Sequence, residues 1–162
     1  VDSCDNSLSA LFANIYRKNY QYDEIRSFVE AQDPDLLLFV EFADHHYENL
    51  SGFLEEHYPY INRAVWSKDL MVGSMVFSKY PFRDLAGTID QDAWRYGYFA
   101  LDIDGQEHYF YLVHTSSPVS KSFWEMRNAQ LDKFVIDYHQ HGFDRDGAPV
   151  MLVGDFNISP WV

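Results

Sequence analysis

The run Leu36-Leu37-Leu38-Phe39-Val40 constrains this chain more than any other segment. Successive side chains of a strand point to opposite faces, so consecutive apolar residues need cover on both sides. Strands of that kind belong to sheets flanked by other layers, as in α/β proteins. Just upstream, Tyr22, Ile25, Phe28 and Val29 recur at three- and four-residue intervals, the spacing of one face of a helix from Asp23 to Gln32. Asp33-Pro34-Asp35 breaks that helix. An apolar stretch from Ser7 to Ile15 precedes it, so the segment predicts a βαβ unit.

The pattern continues downstream. A second helix is predicted over Asp44 to His57, with Tyr47, Leu50, Phe53 and Leu54 inward, ended by Tyr58-Pro59-Tyr60. Met71 to Ser78 reads as a strand, Lys79-Tyr80-Pro81 as a turn, and Phe82 to Ile89 as a weaker strand. Tyr96 to Ile103 and Glu107 to Val113 flank Asp104-Gly105, a two-residue hairpin signal. A third helix is predicted over Ser122 to His139, a loop at Asp144-Arg145-Asp146-Gly147, and a last strand from Pro149 to Val153. This order describes a mixed α/β sandwich with helices outside, forming one domain over residues 1–162. A chain of that size buries roughly 68–70% of its unfolded surface.

Charge narrows the partners. The balance of 12 − 25 = −13 opposes the basic footprint of sequence-independent nucleic-acid binding, and disfavours long nucleic acid. Phosphate substrates stay open if a divalent cation supplies the positive charge. No apolar stretch approaches the ~20 residues of a membrane span. The start, Val1-Asp2-Ser3-Cys4, has neither an initiator Met nor the regions of a signal peptide, and reads as an excised segment of a soluble domain with localisation undetermined. Cys4, the single cysteine, makes no internal disulfide.

Four apolar strands each end in a polar group: Asn14, Glu41, His114, and Asp155 with Asn157. Ligands collect outside the carboxyl ends of strands in α/β sheets, so these groups can converge on one edge. Asp155 and Asn157, two apart at a strand end, would share a face and act on one atom as acceptor and donor. Simpler readings compete: a Gly-Asp-Asn-Ser-Pro turn after a core strand, Glu41 as an acid at the start of the next helix, and His114 as a half-buried residue capped by Thr115 or Ser116. As a set, Glu41 supplies an oxygen ligand and Asn14 a carbonyl oxygen for Mg²⁺ or Mn²⁺, with water and substrate phosphate completing the shell. His45-His46 and the pair His139 and His141 lack the spacing of a zinc site and read as solvated surface histidines. A glycosidase built on Glu41 and Asp155 would leave Asn14, His114 and Asn157 without a task.

The ordered segments Phe12-Ala13-Asn14-Ile15, Asp33-Pro34-Asp35 through Glu41, Gly73 to Pro81, Val113-His114-Thr115-Ser116-Ser117-Pro118, Arg127-Asn128-Ala129-Gln130-Leu131 and Gly154-Asp155-Phe156-Asn157 resemble the endonuclease/exonuclease/phosphatase family of metal-dependent, deoxyribonuclease-like phosphoesterases. The resemblance implies a four-layer αββα sandwich of two stacked mixed sheets. It implies Glu41 as the main metal ligand with Asn14 beside it, Asp155 orienting or deprotonating water, Asn157 holding the phosphate or that water, and His114 bonding phosphate oxygens. Arg127 and Asn128 would support the site, and Ser78 and Tyr80 would pack and turn.

The closing Ile158-Ser159-Pro160-Trp161 resembles bacterial members that carry a membrane-spanning region ahead of the catalytic domain. Family members also carry an Asp-His pair well downstream of the Gly-Asp-x-Asn segment, and none follows Asn157 here. The expectation is therefore a fragment whose sandwich is incomplete at its C-terminal end. Such a fragment would hydrolyse a phosphodiester or phosphomonoester weakly or not at all, with sheet edges covered by a partner or a swapped homodimer. A non-catalytic binding or interaction domain that keeps the fold is the alternative.

Overall fold

The computed structural model describes residues 8–67, 72–83, 96–103, 105–141, 147 and 149–158. The expectations for Ser7, Cys4, Met71, the Phe82 strand beyond Arg83, Asp104 and residues 144–146 lie outside them. The elements are β1 (Ala10–Asn14), α1 (Tyr22–Gln32), β2 (Leu36–Ala43), α2 (Asp44–His57), β3 (Tyr60–Ser67), β4 (Val72–Ser78), β5 (Phe82–Arg83), β6 (Tyr96–Ile103), β7 (Gln106–His114), α3 (Lys121–His141) and β8 (Val150–Asp155). The three helices follow the predicted periodicities. Strand β3 has no counterpart among the predicted elements.

The strands form two mixed sheets, β1-β2-β4-β3 and β5-β6-β7-β8. β1 runs parallel to β2, with Asn14 opposite Val40, so the predicted βαβ unit is present. β4 is antiparallel to both its neighbours. In the second sheet β6 and β7 form the predicted hairpin, and β8 joins β7 in parallel, with His114 opposite Asp155.

Side-chain alternation stacks the layers. Residues 36 to 40 of β2 are all buried to within 1% exposure, as a strand covered on both faces requires. Leu37 and Phe39 pack with Val29 of α1 and with Leu50 and Leu54 of α2. Leu36, Leu38 and Val40 face the other way, against Phe99, Leu101, Phe110 and Leu112 of the second sheet. The opposite face of that sheet, Tyr96, Tyr111 and Val113, packs on Phe134 of α3. The result is α1 and α2, sheet, sheet, α3: a four-layer αββα sandwich.

One irregularity positions the site. Phe39 pairs with Met75 but Phe42 pairs with Gly73, so three steps along β2 match two along β4. The extra residue is a β-bulge, which reverses the facing of everything after it. Phe42, an even-numbered residue, accordingly joins the helix-side cluster that holds Leu37 and Phe39. Within the bulge Glu41 has φ 56, a left-handed conformation unusual for a residue with a side chain.

At the same end, in the second sheet, Gly154 (φ 152) lies opposite Val113, and an added Cβ would stand 1.9 Å from the Val113 carbonyl oxygen. Gly154→Ala therefore forces β7 and β8 apart, with an expected loss of about 3 kcal/mol or more in urea unfolding. Gly52, in α2 with open space around its Cβ position, gives the opposite sign: Gly52→Ala is expected to gain about 0.5–1 kcal/mol. Equal effects of the two substitutions would contradict this packing.

Candidate active site

Facing places four polar side chains in one gap. Asn14 continues the face of Phe12, His114 that of Phe110 and Leu112, and Asp155 that of Val153, all of which point between the sheets. The bulge brings the Glu41 carboxylate to the same place. The Asn14 amide nitrogen donates to Glu41 Oε1 at 3.2 Å and to Asp155 Oδ2 at 3.4 Å, joining one carboxylate from each sheet. His114 Nε2 lies 3.9 Å from Glu41 Oε1. The Glu41 and His114 side chains are 26% and 16% exposed, so the group opens to solvent, while β2 and the end of β7 beneath it are mostly buried.

The predicted residues Asn14, Glu41, His114 and Asp155 are thus neighbours at the carboxyl ends of β1, β2, β7 and β8. Asn157 is adjacent by a different route from the expected one. β8 ends at Asp155, and Asn157 takes φ 49, so the two are not successive positions on one strand face. Instead the Asn157 backbone N–H donates to Asp155 Oδ1 at 3.0 Å, and its carboxamide nitrogen donates to the Thr115 carbonyl at 2.8 Å. Beside His114, Thr115 Oγ1 donates to the Phe156 carbonyl at 2.6 Å, and the Ser116 N–H donates to Gln130 Oε1 at 2.8 Å.

Of the groups around the site, Arg127 and Asn128 are expected from the sequence as supports, whereas the roles of Gln130 and the Arg17 amide escape it. Arg127, 6% exposed, donates from a guanidinium nitrogen to the Asn157 carbonyl at 2.7 Å and from Nε to Asn128 at 2.8 Å. With Gln130 on the Ser116 amide, α3 thereby holds both loops that leave the parallel pair β7 and β8. The backbone N–H of Arg17 donates to Glu41 Oε2 at 3.2 Å. Only its residue number is legible from sequence, because a main-chain donor has no sequence signature.

The expected surface histidines need correction. His46 is fully buried: its Nδ1 accepts the Ala43 N–H at 2.9 Å and its Nε2 donates to the Asn19 carbonyl at 2.8 Å. It replaces a side-chain cap, since Ala43 at the start of α2 has no polar atom to offer. Burial, with His45 beside it and against the pull of its bond to Asn19, lowers the imidazole to about 4. His139, by contrast, is exposed as expected.

The donor set suits a hard cation. Two carboxylates converge on an uncharged amide nitrogen, a weak substitute for a positive charge. Their ligand atoms are oxygens, and Mg²⁺ needs only one or two protein carboxylates beside water and phosphate. Among the described residues no group of three or more His, Cys, Asp or Glu side chains is arranged to hold a metal by itself, and Glu41, His114 and Asp155 are included in that statement.

Arg127→Met is expected to destabilise the chain by about 1–3 kcal/mol in urea unfolding, because the Asn157 carbonyl loses a charged donor. A loss below about 0.5 kcal/mol would show that this contact holds nothing. His46 predicts a pH effect with a definite sign. Between its ordinary 6.5 and about 4 the unfolded chain takes up a proton that the folded chain does not. Its contribution is therefore complete above the upper value and lost as pH falls toward the lower, at about 1.4 kcal/mol per unit. The stability gap between the parent chain and His46→Gln should narrow from neutral to acidic pH; a constant gap would contradict the assignment.

A comparison with curated protein sequences gave no match. Among solved structures the chain is similar to truncated TDP2 from Caenorhabditis elegans, with TM-score 0.73 and 18% identity over 94% of this chain and 63% of that one. It is similar to a mutant beta toxin from Staphylococcus aureus with bound magnesium ions, at TM-score 0.70 and 18% identity over 96% and 66%. Sphingomyelinase C from Streptomyces griseocarneus gives 0.67 and 20% over 96% and 66%. These are likenesses of fold, and the chain spans less than two thirds of the length of each. The sequence model of the Endonuclease/Exonuclease/phosphatase family matches residues 11–161, nearly the whole chain. On that match, and with the deoxyribonuclease-like sandwich that carries it, the chain belongs to the endonuclease/exonuclease/phosphatase family.

Proposed function

We propose that this chain carries the catalytic edge of a Mg²⁺- or Mn²⁺-dependent phosphoric ester hydrolase. The observation that supports it best is the Asn14 bridge between Glu41 and Asp155, which gathers a carboxylate from each sheet beside His114. Glu41 is the carboxylate that would hold the cation, with Asn14 next to it. The cation, when bound, supplies the positive charge that an acidic chain lacks for binding phosphate and stabilising the reacting group.

The remaining work falls to the chain. Asp155 accepts hydrogen bonds at both oxygens, which fixes its direction. It is placed to orient a water and take its proton as the water oxygen bonds to phosphorus. The ester P–O bond then breaks, and the leaving oxygen takes a proton from solvent. His114 donates to a phosphate oxygen, and the second N–H of the Asn157 carboxamide donates to the phosphate or to the water. The substrate is a phosphodiester or phosphomonoester of a small molecule or lipid headgroup, since a net charge of −13 disfavours a long polyanion.

Metal binding should be visible without turnover. Millimolar Mg²⁺ or Mn²⁺ is expected to raise the melting temperature of the parent chain, because a ligand of the folded state alone must stabilise it. Glu41→Gln should remove most of that shift. Where hydrolysis of a generic aryl phosphodiester is measurable, Glu41→Gln and Asp155→Asn should each lower it by about 100-fold or more. Unchanged hydrolysis in both variants would sink these roles.

A further inference from the structure

The connection between β1 and α1 is held more firmly than its surface position requires. Its backbone turns at Tyr16, where φ is 57 and the carbonyl accepts the Asn19 N–H at 2.8 Å. The Tyr16 N–H itself donates to Asn14 Oδ1 at 3.0 Å. Next along the chain the Arg17 N–H reaches Glu41 Oε2, while the Arg17 carbonyl turns the other way and meets His45 Nε2 at 2.7 Å. Two residues on, the Asn19 carbonyl meets His46 Nε2.

A carbonyl only accepts, so both imidazoles carry their proton on Nε2. The Nδ1 of each is bonded as well: that of His46 accepts the Ala43 N–H, and that of His45 pairs with the hydroxyl of Tyr22, the first residue of α1, at 2.9 Å. The rings lie 4.0 Å apart, and Tyr20 stacks on His45 at 4.7 Å. Segment 41–46 therefore supplies a carboxylate at its start and, at its end, one ring on the carbonyl of Arg17, the residue that donates to that carboxylate, and a second ring on the Asn19 carbonyl of the same connection.

We propose that His45 and His46 are positioning residues for Glu41: they fix the 15–21 connection so that the Arg17 amide keeps one carboxylate oxygen and leaves the other facing the gap between the sheets. The proposal rests on the reading of Glu41 as the metal ligand. It assigns the histidines no contact with metal or substrate. For His45 the effect passes through Arg17, whose C=O it holds and whose N–H lies in the adjoining peptide plane, linked through the φ and ψ of that one residue; His46 acts two residues on, through the Asn19 C=O.

His45→Phe keeps a ring under Tyr20 and removes the donor, whereas His45→Gln retains an N–H. Mn²⁺ titration by calorimetry is expected to show binding weakened about 10-fold or more in His45→Phe, within about threefold of the parent in His45→Gln, and intermediate in Tyr22→Phe, the range usual for partners of metal ligands. In the metal-free chain, exchange of the Arg17 amide, followed by NMR, should speed up in His45→Phe and recover in His45→Gln. A folded His45→Phe, or a Tyr22→Phe, that binds Mn²⁺ like the parent would overturn the proposal if Glu41→Gln has lost binding. If Glu41→Gln itself binds Mn²⁺ like the parent, the metal reading falls first.

Discussion

Glu41 faces the gap between the sheets only because β2 gains one residue there. Without the bulge, strict alternation from Leu37 and Phe39 would send residue 41 into the helix-side core, where a carboxylate is costly to bury. The bulge has a conformational cost of its own, since φ 56 lies outside the regions preferred by a residue with a Cβ. Surroundings that hold Glu41 from several sides make that conformation tenable: Asn14 on one oxygen, the Arg17 amide on the other, and the pairing of β2 with β1 and β4 on either side of the bulge. The rest of the candidate site is arranged about this carboxylate.

The opposite wall is built by other means. Asp155 needs no bulge, because β8 runs parallel to β7 and ends level with His114. What it needs is close approach of those strands, which Gly154 permits, and a fixed exit for the chain, which Thr115 and Arg127 supply. The two walls meet through Asn14. One carboxamide bridges two sheets that otherwise pack through the apolar cluster of Leu36, Leu38 and Val40 against Phe99, Leu101, Phe110 and Leu112, which is non-directional.

Much of this was legible in the sequence, for stated reasons. Leu36 to Val40 announced a strand covered on both sides, and helix periodicity located the three helices of the described residues. Polar residues at the ends of apolar runs pointed to the site, since regular strands place their ends predictably. Other parts were not legible. Strand β3 is interrupted in sequence by Asn62 and Arg63 and forms by pairing with β4, a property of the partner. The burial of His46 was missed because adjacent histidines carry no periodic signal, and only the tertiary fold sets carbonyl groups against them. Asn157 was misplaced in detail because the length of β8 decides whether a residue two positions on is still in a strand.

The central claim is that four strand ends from two sheets make one site for a hard cation. Mn²⁺ added to the isotopically labelled chain tests it directly, because a paramagnetic ion broadens the amide signals of nearby residues. Selective loss of signals around Asn14, Glu41, His114 and Asp155 at low Mn²⁺ is the predicted result. Broadening spread over the acidic surface, with those four segments no more affected than the rest, would contradict it.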